Sequence, residues 1–276
     1  MTNIIGFAGK KQSGKDTSCN FILMLKMIEL GVCKNARLNE DGKIEVSDIF
    51  GQCKDGLDYF EFSKKHVDVD RVLNAISSEI KIYYLADPLK RIAIDIFGLP
   101  EDKVYGTDDE KNELTHLLWE NMPVAKSQFD QEYDSVGEHR YNTRSSLNTE
   151  TRYRAGPMTI REFLQYLGSD VFRKINSEVW LDTLFRRIKK DNSRLALIGD
   201  IRFENEIEGC KSKEAIVLGL TKDKFKSADS HASENVNIDL CSKIIDNEKL
   251  NIAEQNKEIY FALKELGCDI LPNLGV

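Results

Sequence analysis

Nine residues near the start of the chain carry the strongest chemical signal. Gly9-Lys10-Lys11-Gln12-Ser13-Gly14-Lys15-Asp16-Thr17 has the spacing Gly-x4-Gly-Lys. Glycines at those two places permit tight turns and close approach, so successive backbone N–H groups can ring a phosphate. Gly9, Gln12, Ser13 and Gly14 would form that ring, and Lys15 would reach the β- and γ-phosphates of a nucleotide. The residue after the lysine is Asp16, where Ser or Thr is usual, and Thr17 comes one place later. A magnesium ion would then be held by the Thr17 hydroxyl, by a water on Asp16, or by both.

Two further groups suit phosphate chemistry. Asp200 and Arg202 follow the apolar run Leu195-Ala196-Leu197-Ile198, near the carboxyl end of a strand, where α/β enzymes place their sites. A carboxylate there can hold hydrated magnesium or orient an acceptor, although Asp also caps turns. Ten of the 13 arginines fall between residues 140 and 202. Moving a phosphoryl group between two phosphorylated molecules gathers negative charge, which the planar guanidinium fork is suited to clamp. Arg140, Arg144, Arg152 and Arg154 sit in a long polar stretch that reads either as a closing lid or as plain surface. Arg161 and Gln165 are four apart, hence on one helix face, as a substrate-holding pair or a solvated one. Trp180 would stack on a base or belong to the apolar stripe of its own helix.

The elements that must position these residues follow from patterning. Ile4 to Ala8 is an apolar strand stopping at Gly9, and Thr17 to Leu30 is a helix so apolar that it must be covered on more than one side. Residues 35–75 read as an insertion built on a hairpin around Asp41-Gly42. Lys81 to Ala86 is a strand, followed by a helix that Asp87-Pro88 caps and opens. Residues 98–156 are polar and lid-like, with one amphipathic helix around Glu110–Trp119. Thr159 and Glu162 fit a capping box for the helix Ile160–Leu167, and a further helix spans about residues 178–190. The remainder of the core, 157–276, alternates strands at 195–198, 215–220 and 243–245 with helices, closing on a helix at 252–266. Apolar strands alternating with helices indicate an α/β fold with a parallel sheet covered on both faces.

The chain has 276 residues with 39 basic and 46 acidic side chains, a formal net charge of −7. A chain this long buries roughly 70–75% of its unfolded surface, so it needs no disulfide or metal staple. The 41% hydrophobic and 31% charged content excludes a disordered or fibrous chain. No 18-residue apolar run exists to cross a membrane, and the first residues lack the pattern of a signal peptide. Net acidity argues against stable nucleic-acid binding. The six cysteines form no CxxC pair and the four histidines no HExxH, so free thiols in a reducing cytoplasm are expected.

Taken in order, several blocks resemble the deoxynucleoside monophosphate kinases of tailed bacteriophages. They are Gly9 to Thr17 with its Gly-Lys-Asp-Thr ending, Leu85-Ala86-Asp87-Pro88-Leu89-Lys90, Gly106 to Asn112 and Trp119 to Pro123. Thr159 to Asp170, Trp180, Gly199 to Glu206 and His231-Ala232-Ser233-Glu234 continue the likeness, which spans about residues 4 to 250. The hairpin insertion and parts of 124–155 look peculiar to a subgroup. The resemblance implies a nucleoside monophosphate kinase-like three-layer P-loop fold, one kinase body over 1–276 with a substrate-binding helical region and a lid. It implies transfer of the ATP γ-phosphoryl group to the 5′-phosphate of a dNMP, giving dNDP and ADP with Mg2+, in the cytoplasm of a host cell. Carried over by position, Lys15 stabilises the migrating phosphoryl and Asp16 and Thr17 organise magnesium. Arg161 and Gln165 hold the monophosphate, Trp180 flanks it, and Asp200 positions acceptor or metal; the arginine cluster adds Arg152 and Arg154 as substrate-binding candidates and Arg202 as a catalytic one. A homodimer is implied as well. The rival readings are a P-loop kinase acting on another acceptor, such as hydroxymethyluracil in DNA, and a nucleotide-gated ATP-binding module.

Overall fold

The computed structural model describes residues 2–49, 59–63, 68–122, 155–223 and 236–272. It divides into two compact units, one of residues 1–85 with 181–276 and one of residues 86–180. These bounds enclose more than the 98–156 region that polarity alone marks out.

The first unit opens with β1 (Asn3–Gly9), α1 (Lys15–Glu29), β2 (Cys33–Leu38), β3 (Ile44–Ile49), β4 (Phe60–Glu61), α2 (Val69–Ala75) and β5 (Ile80–Tyr83). The second contains α3 (Asp87–Asp95), α4 (Glu101–Val104), α5 (Asp108–Lys111), β6 (Leu114–Leu118), β7 (Pro157–Thr159), α6 (Ile160–Gln165) and α7 (Arg173–Ile175). Helix α8 (Val179–Asp191) leads back to β8 (Leu195–Ile201), α9 (Glu204–Lys211), β9 (Ile216–Leu220), β10 (Lys243–Ile245) and α10 (Ile252–Glu265).

Five strands of the first unit form one sheet in the order β10-β9-β1-β8-β5, and every neighbouring pair is parallel. The fold is mixed α/β with its parallel sheet flanked by helices, as a P-loop kinase-like fold requires. β1 and β8 are buried along nearly their whole length, which is why they read as unbroken apolar runs rather than alternating ones. Their side chains Ile5, Phe7, Leu195 and Leu197 share a core with Ile22 and Met27 of α1 and Ile259 and Leu263 of α10. Helix α1 ends where expected, because Gly31 adopts φ +68 just beyond it.

The expected hairpin is present as the antiparallel pair β2–β3. Asn39 organises its turn by accepting from the N–H groups of Asp41 and Lys43 at 3.0 Å each. β4 adds a third strand, and α2, which the sequence reading did not anticipate, is capped by Asp68 accepting from Arg71 N–H. The strand at 81–86 is shorter than expected and ends at Tyr83; Ala86 occupies the cap position and Asp87 is already helical.

The second unit corrects one expectation outright. Glu110–Trp119 is not an amphipathic helix: helix α5 stops at Lys111, and Leu114–Leu118 is a strand paired antiparallel with β7. Thr115 Oγ1 donates to Met158 O at 2.8 Å across that pair, so a partner 43 residues away outweighs the helical spacing of the leucines. The Thr159–Glu162 capping box forms as expected. The helix it opens runs past Leu167, because Tyr166–Phe172 continues as a π-helical segment into α7. A Cβ at Gly168 would meet Leu89 Cδ2 at 2.8 Å. Among the described residues, no helix is long and apolar enough to cross a membrane.

Candidate functional site

β1 delivers the chain to the loop at its carboxyl end. There the glycines are required by space as well as by conformation. A Cβ on Gly9 would meet Ser13 Oγ at 2.7 Å and Leu220 O at 2.8 Å, and one on Gly14, at φ +104, would meet Gln255 Oε1 at 2.7 Å. Gln12 takes φ 57, a left-handed conformation that disfavours a side chain by roughly 1–2 kcal/mol. The Lys15 side chain is buried, and its Nζ donates to Gly9 O at 2.7 Å, to Lys10 O and to Ser13 Oγ at 3.4 Å. The ammonium therefore lies inside the loop, braced by loop oxygens, with the amino end of α1 immediately behind it. That end contributes partial positive charge, and its cap residue, Gly14, brings no side chain to occupy the first-turn amides.

β8, the neighbour of β1, carries Asp200 close to its carboxyl end. Asp200 Oδ1 accepts from the Leu85 N–H at 2.7 Å, which ties it to the chain leaving β5. Tyr84, next to Leu85, lies beside the exposed Asp16 and beside Asp200. Burial, followed by the neighbouring Asp16 and Asp200 carboxylates, pushes the Tyr84 phenol far above its ordinary range. It therefore keeps its proton beside two carboxylates. The Cys19 thiol is pushed up by burial and then by Asp16 and Asp200, so it stays protonated and packs as a small apolar group. Burial first, then Glu206 and Asp200, raise the Cys210 thiol to about 12. The five described cysteines are free; Cys53 lies outside the described residues.

The structure separates the two candidate magnesium ligands of the loop. Asp16 lies with Tyr84 and Asp200. Thr17 instead faces the hairpin turn, where a Cβ on Gly42 would meet Thr17 Oγ1 at 2.2 Å. Asn20 Nδ2 donates to Gly42 O at 2.9 Å and fastens that turn over the first turns of α1. Arg202 is half-buried just past β8, and its N–H donates to Glu206 Oε2 at 2.8 Å. The buried Glu206 also accepts from Phe203 N–H at 3.1 Å and so shapes the turn that presents Arg202.

Sequence reasoning missed the residues behind the loop. Asn247, fully buried at the end of β10, donates from Nδ2 to Ser13 O at 2.8 Å and to Gln255 Oε1 at 2.7 Å. Its Oδ1 accepts from Lys222 N–H at 2.8 Å. Gln255 Nε2 donates to Ser18 Oγ at 3.2 Å and to Gly14 O at 3.4 Å. At the loop's outer edge, Lys10 pairs with Asp223 at 2.7 Å. The only sequence sign of this arrangement is that Asn247 and Asp223 both follow predicted strands.

In the second unit, α6 carries Arg161 and, one turn later, Gln165, both half-buried. Arg161 Nη2 donates to Asp108 Oδ1 at 2.6 Å and Nε to Asn112 Oδ1 at 2.9 Å. The block Gly106–Asn112 thus supplies the groups that aim the guanidinium. Gln165 immediately precedes the π-helical segment, a departure from α geometry that recurs at functional sites. Trp180 is a core residue: it is 6% exposed, stacks at a tilt on Phe172 with centroids 5.1 Å apart, and gives its indole N–H to Gly168 O at 3.2 Å. Arg140, Arg144, Arg152, Arg154 and the block His231–Glu234 lie outside the described residues.

A family model described as deoxynucleotide monophosphate kinase matches residues 110–256, more than half of the chain. The matched stretch contains Arg161, Gln165, Asp200, Arg202, Asn247 and Gln255, whereas the loop at 9–17 precedes it. No curated protein matches the chain.

Proposed function

The chain belongs to the deoxynucleotide monophosphate kinase family, and from that premise we propose that it transfers the γ-phosphoryl group of ATP to the 5′-phosphate of a dNMP, giving dNDP and ADP. The observation that carries the reading is the Lys15 ammonium braced inside a glycine-shaped loop at the end of β1, with Asp200 on the adjacent strand.

On this reading the loop amides and Lys15 bind the β- and γ-phosphates and stabilise charge on the migrating group. Catalysis by positioning and electrostatics suffices, because in-line phosphoryl transfer needs no covalent enzyme intermediate. The chemistry of Asp16 and Asp200 suits Mg2+, which favours carboxylate and water oxygens. Those two aspartates would hold it, directly or through water, with Tyr84 beside Asp16. Thr17, covered by the Gly42 turn, is the less accessible donor. Bound there, the ion neutralises β- and γ-phosphate oxygens. Arg161 holds the monophosphate while Asp108 and Asn112 orient it; two of the five guanidinium donors serve those partners, and the fork offers the rest. Gln165 contacts the base or sugar, and Trp180 supports that helix from the core. Arg202 adds positive charge near Asp200. Arg152 and Arg154 belong to the same proposal as lid residues, as does a homodimer.

The test is ADP release measured with each dNMP and rNMP in turn, beside a DNA acceptor carrying hydroxymethyluracil. Release stimulated by at least one dNMP, with dNDP formed in equal amount, is the expected result. Release only with the DNA acceptor would shift the assignment to that substrate. Release indifferent to every acceptor would leave a nucleotide-hydrolysing binding module.

A further inference from the structure

The amide cluster behind the phosphate loop has no place in the chemistry described so far, yet the side-chain oxygen and nitrogen of both its residues are hydrogen-bonded. Asn247 is 0% exposed and Gln255 4%. Asn247 Nδ2 makes two hydrogen bonds, to Ser13 O and Gln255 Oε1, and its Oδ1 accepts from Lys222 N–H and, at 3.5 Å, from Thr221 Oγ1. Gln255 in turn uses its Nε2 on Ser18 Oγ and Gly14 O. Five stretches of chain meet there: the loop, the start of α1, the ends of β9 and β10, and the start of α10.

The targets of these bonds are specific. In a trans peptide the C=O and the following N–H lie in one plane and point in opposite directions within it. The Ser13 carbonyl shares its plane with the Gly14 N–H, and the Gly14 carbonyl shares its plane with the Lys15 N–H. Bonding Ser13 O to Asn247, and Gly14 O to Gln255 and to the Ser18 N–H at 2.9 Å, turns both amides away from the cluster. Gly14, at φ +104 and without a Cβ, is the residue whose peptides rotate most freely in the absence of such bonds. Gln255 also occupies the space a Cβ at position 14 would need, so the same side chain that orients the loop requires its glycine.

We propose that Asn247 and Gln255 are positioning residues for the nucleotide phosphates, holding the Ser13–Gly14 and Gly14–Lys15 peptide planes so that their N–H groups face the bound phosphate. The inference rests on the phosphate-loop reading of residues 9–17. It adds that the loop's affinity is set partly by two amides more than 230 residues away in sequence. Because Asn247 also joins the ends of β9 and β10, Gln255 gives the cleaner test: its side-chain bonds run to the loop, to Ser18 and to Asn247.

Mg-ADP affinity would be measured by calorimetry for the wild-type chain, Lys15→Ala, Gln255→Leu and Gln255→Glu. The KM values for ATP and dNMP and the thermal midpoints would be determined alongside. Gln255→Leu removes every amide bond while keeping a helix-forming residue, and Gln255→Glu removes only the donor. Both variants are expected to weaken Mg-ADP binding and raise the ATP KM about tenfold, the scale of one lost buried hydrogen bond, with the dNMP KM within about twofold of wild type. A purely structural role would move the thermal midpoint and both KM values together. Wild-type Mg-ADP affinity in folded Gln255 variants, with Lys15→Ala weakened, overturns the proposal and leaves the phosphate-loop reading standing. Failure of the wild-type chain itself to bind Mg-ADP overturns both.

Discussion

The Gly9–Thr17 loop of the first unit and the Arg161 helix of the second both present a cation, and they hold it by different kinds of contact. Lys15 is buried among backbone carbonyls, in a loop whose glycines have no room for a Cβ and whose rear carbonyls are bonded to Asn247 and Gln255. Arg161 is held by the side chains of Asp108 and Asn112 at the surface, and the Arg161–Asp108 pair is 30% and 38% exposed. A donor fixed by buried backbone bonds costs little reorganisation when charge develops in front of it. A donor fixed by a half-exposed ion pair is weakly held, typically by less than about 1 kcal/mol, and can exchange one anionic partner for another. In the proposed reaction, the first arrangement would suit a group that meets the ATP phosphates, and the second a group that accepts and releases the monophosphate.

The largest effect is expected at the rigid end. Lys15→Ala should lower turnover by about 10²–10³-fold, the usual consequence of removing one preorganised charge-stabilising donor, while circular dichroism shows an intact fold. Unchanged ATP-dependent dNDP formation would sink the role given to this lysine. Glycine replacements then compare the two units directly. Gly14→Ala places a methyl at φ +104 against the Gln255 amide and should destabilise the fold by about 1–3 kcal/mol, with loss of nucleotide binding. Gly168→Ala has an ordinary backbone conformation and meets only the end of the flexible Leu89 side chain. It should destabilise by about 1 kcal/mol or less. Equal losses of stability in denaturant titrations of the two variants would erase the contrast between the units.

Legibility in the sequence follows the same division between local and long-range causes. The loop was readable because its signal is contiguous: an apolar strand, two glycines at fixed spacing, a lysine and a helix start. Asp200 was readable because a strand end is a local pattern. Asn247 and Gln255 were not, since an Asn after a short strand reads as a turn residue and a Gln on a helix reads as surface. Only the approach of β10 and α10 to Ser13 and Gly14 reveals their partners. Tyr84 was missed for the same reason, because its place beside Asp16 brings the end of β5 to α1. In the second unit, Leu114–Leu118 has leucines at helical spacing, and the strand that pairs with it begins only at Pro157. Arg161 is legible from its own helix, whereas its partners Asp108 and Asn112 lie about 50 residues earlier and reach it only through the fold.

The smallest expected effect probes the exchangeable end of the comparison. Asp108→Asn removes the charge facing Arg161 Nη2 at 2.6 Å and keeps a hydrogen-bond acceptor in place. If Asp108 only aims the guanidinium, the dNMP KM should change by about two- to fivefold, in step with the worth of a half-exposed ion pair, and kcat and the ATP KM should stay near wild type. The direction is informative as well. Losing the carboxylate frees Arg161 from a competitor for the substrate's phosphate, which lowers KM, but also loosens its aim, which raises it. Salt separates the two contributions, because screening over a Debye length of about 8–10 Å weakens the wild-type pair and has no charge to act on at position 108 in the variant. Wild type and Asp108→Asn should therefore converge in dNMP KM as ionic strength rises, while a Lys15-dependent quantity such as Mg-ADP affinity keeps the same ratio between them. A dNMP KM ratio that stays constant as salt rises would mean that Arg161 is held as rigidly as Lys15.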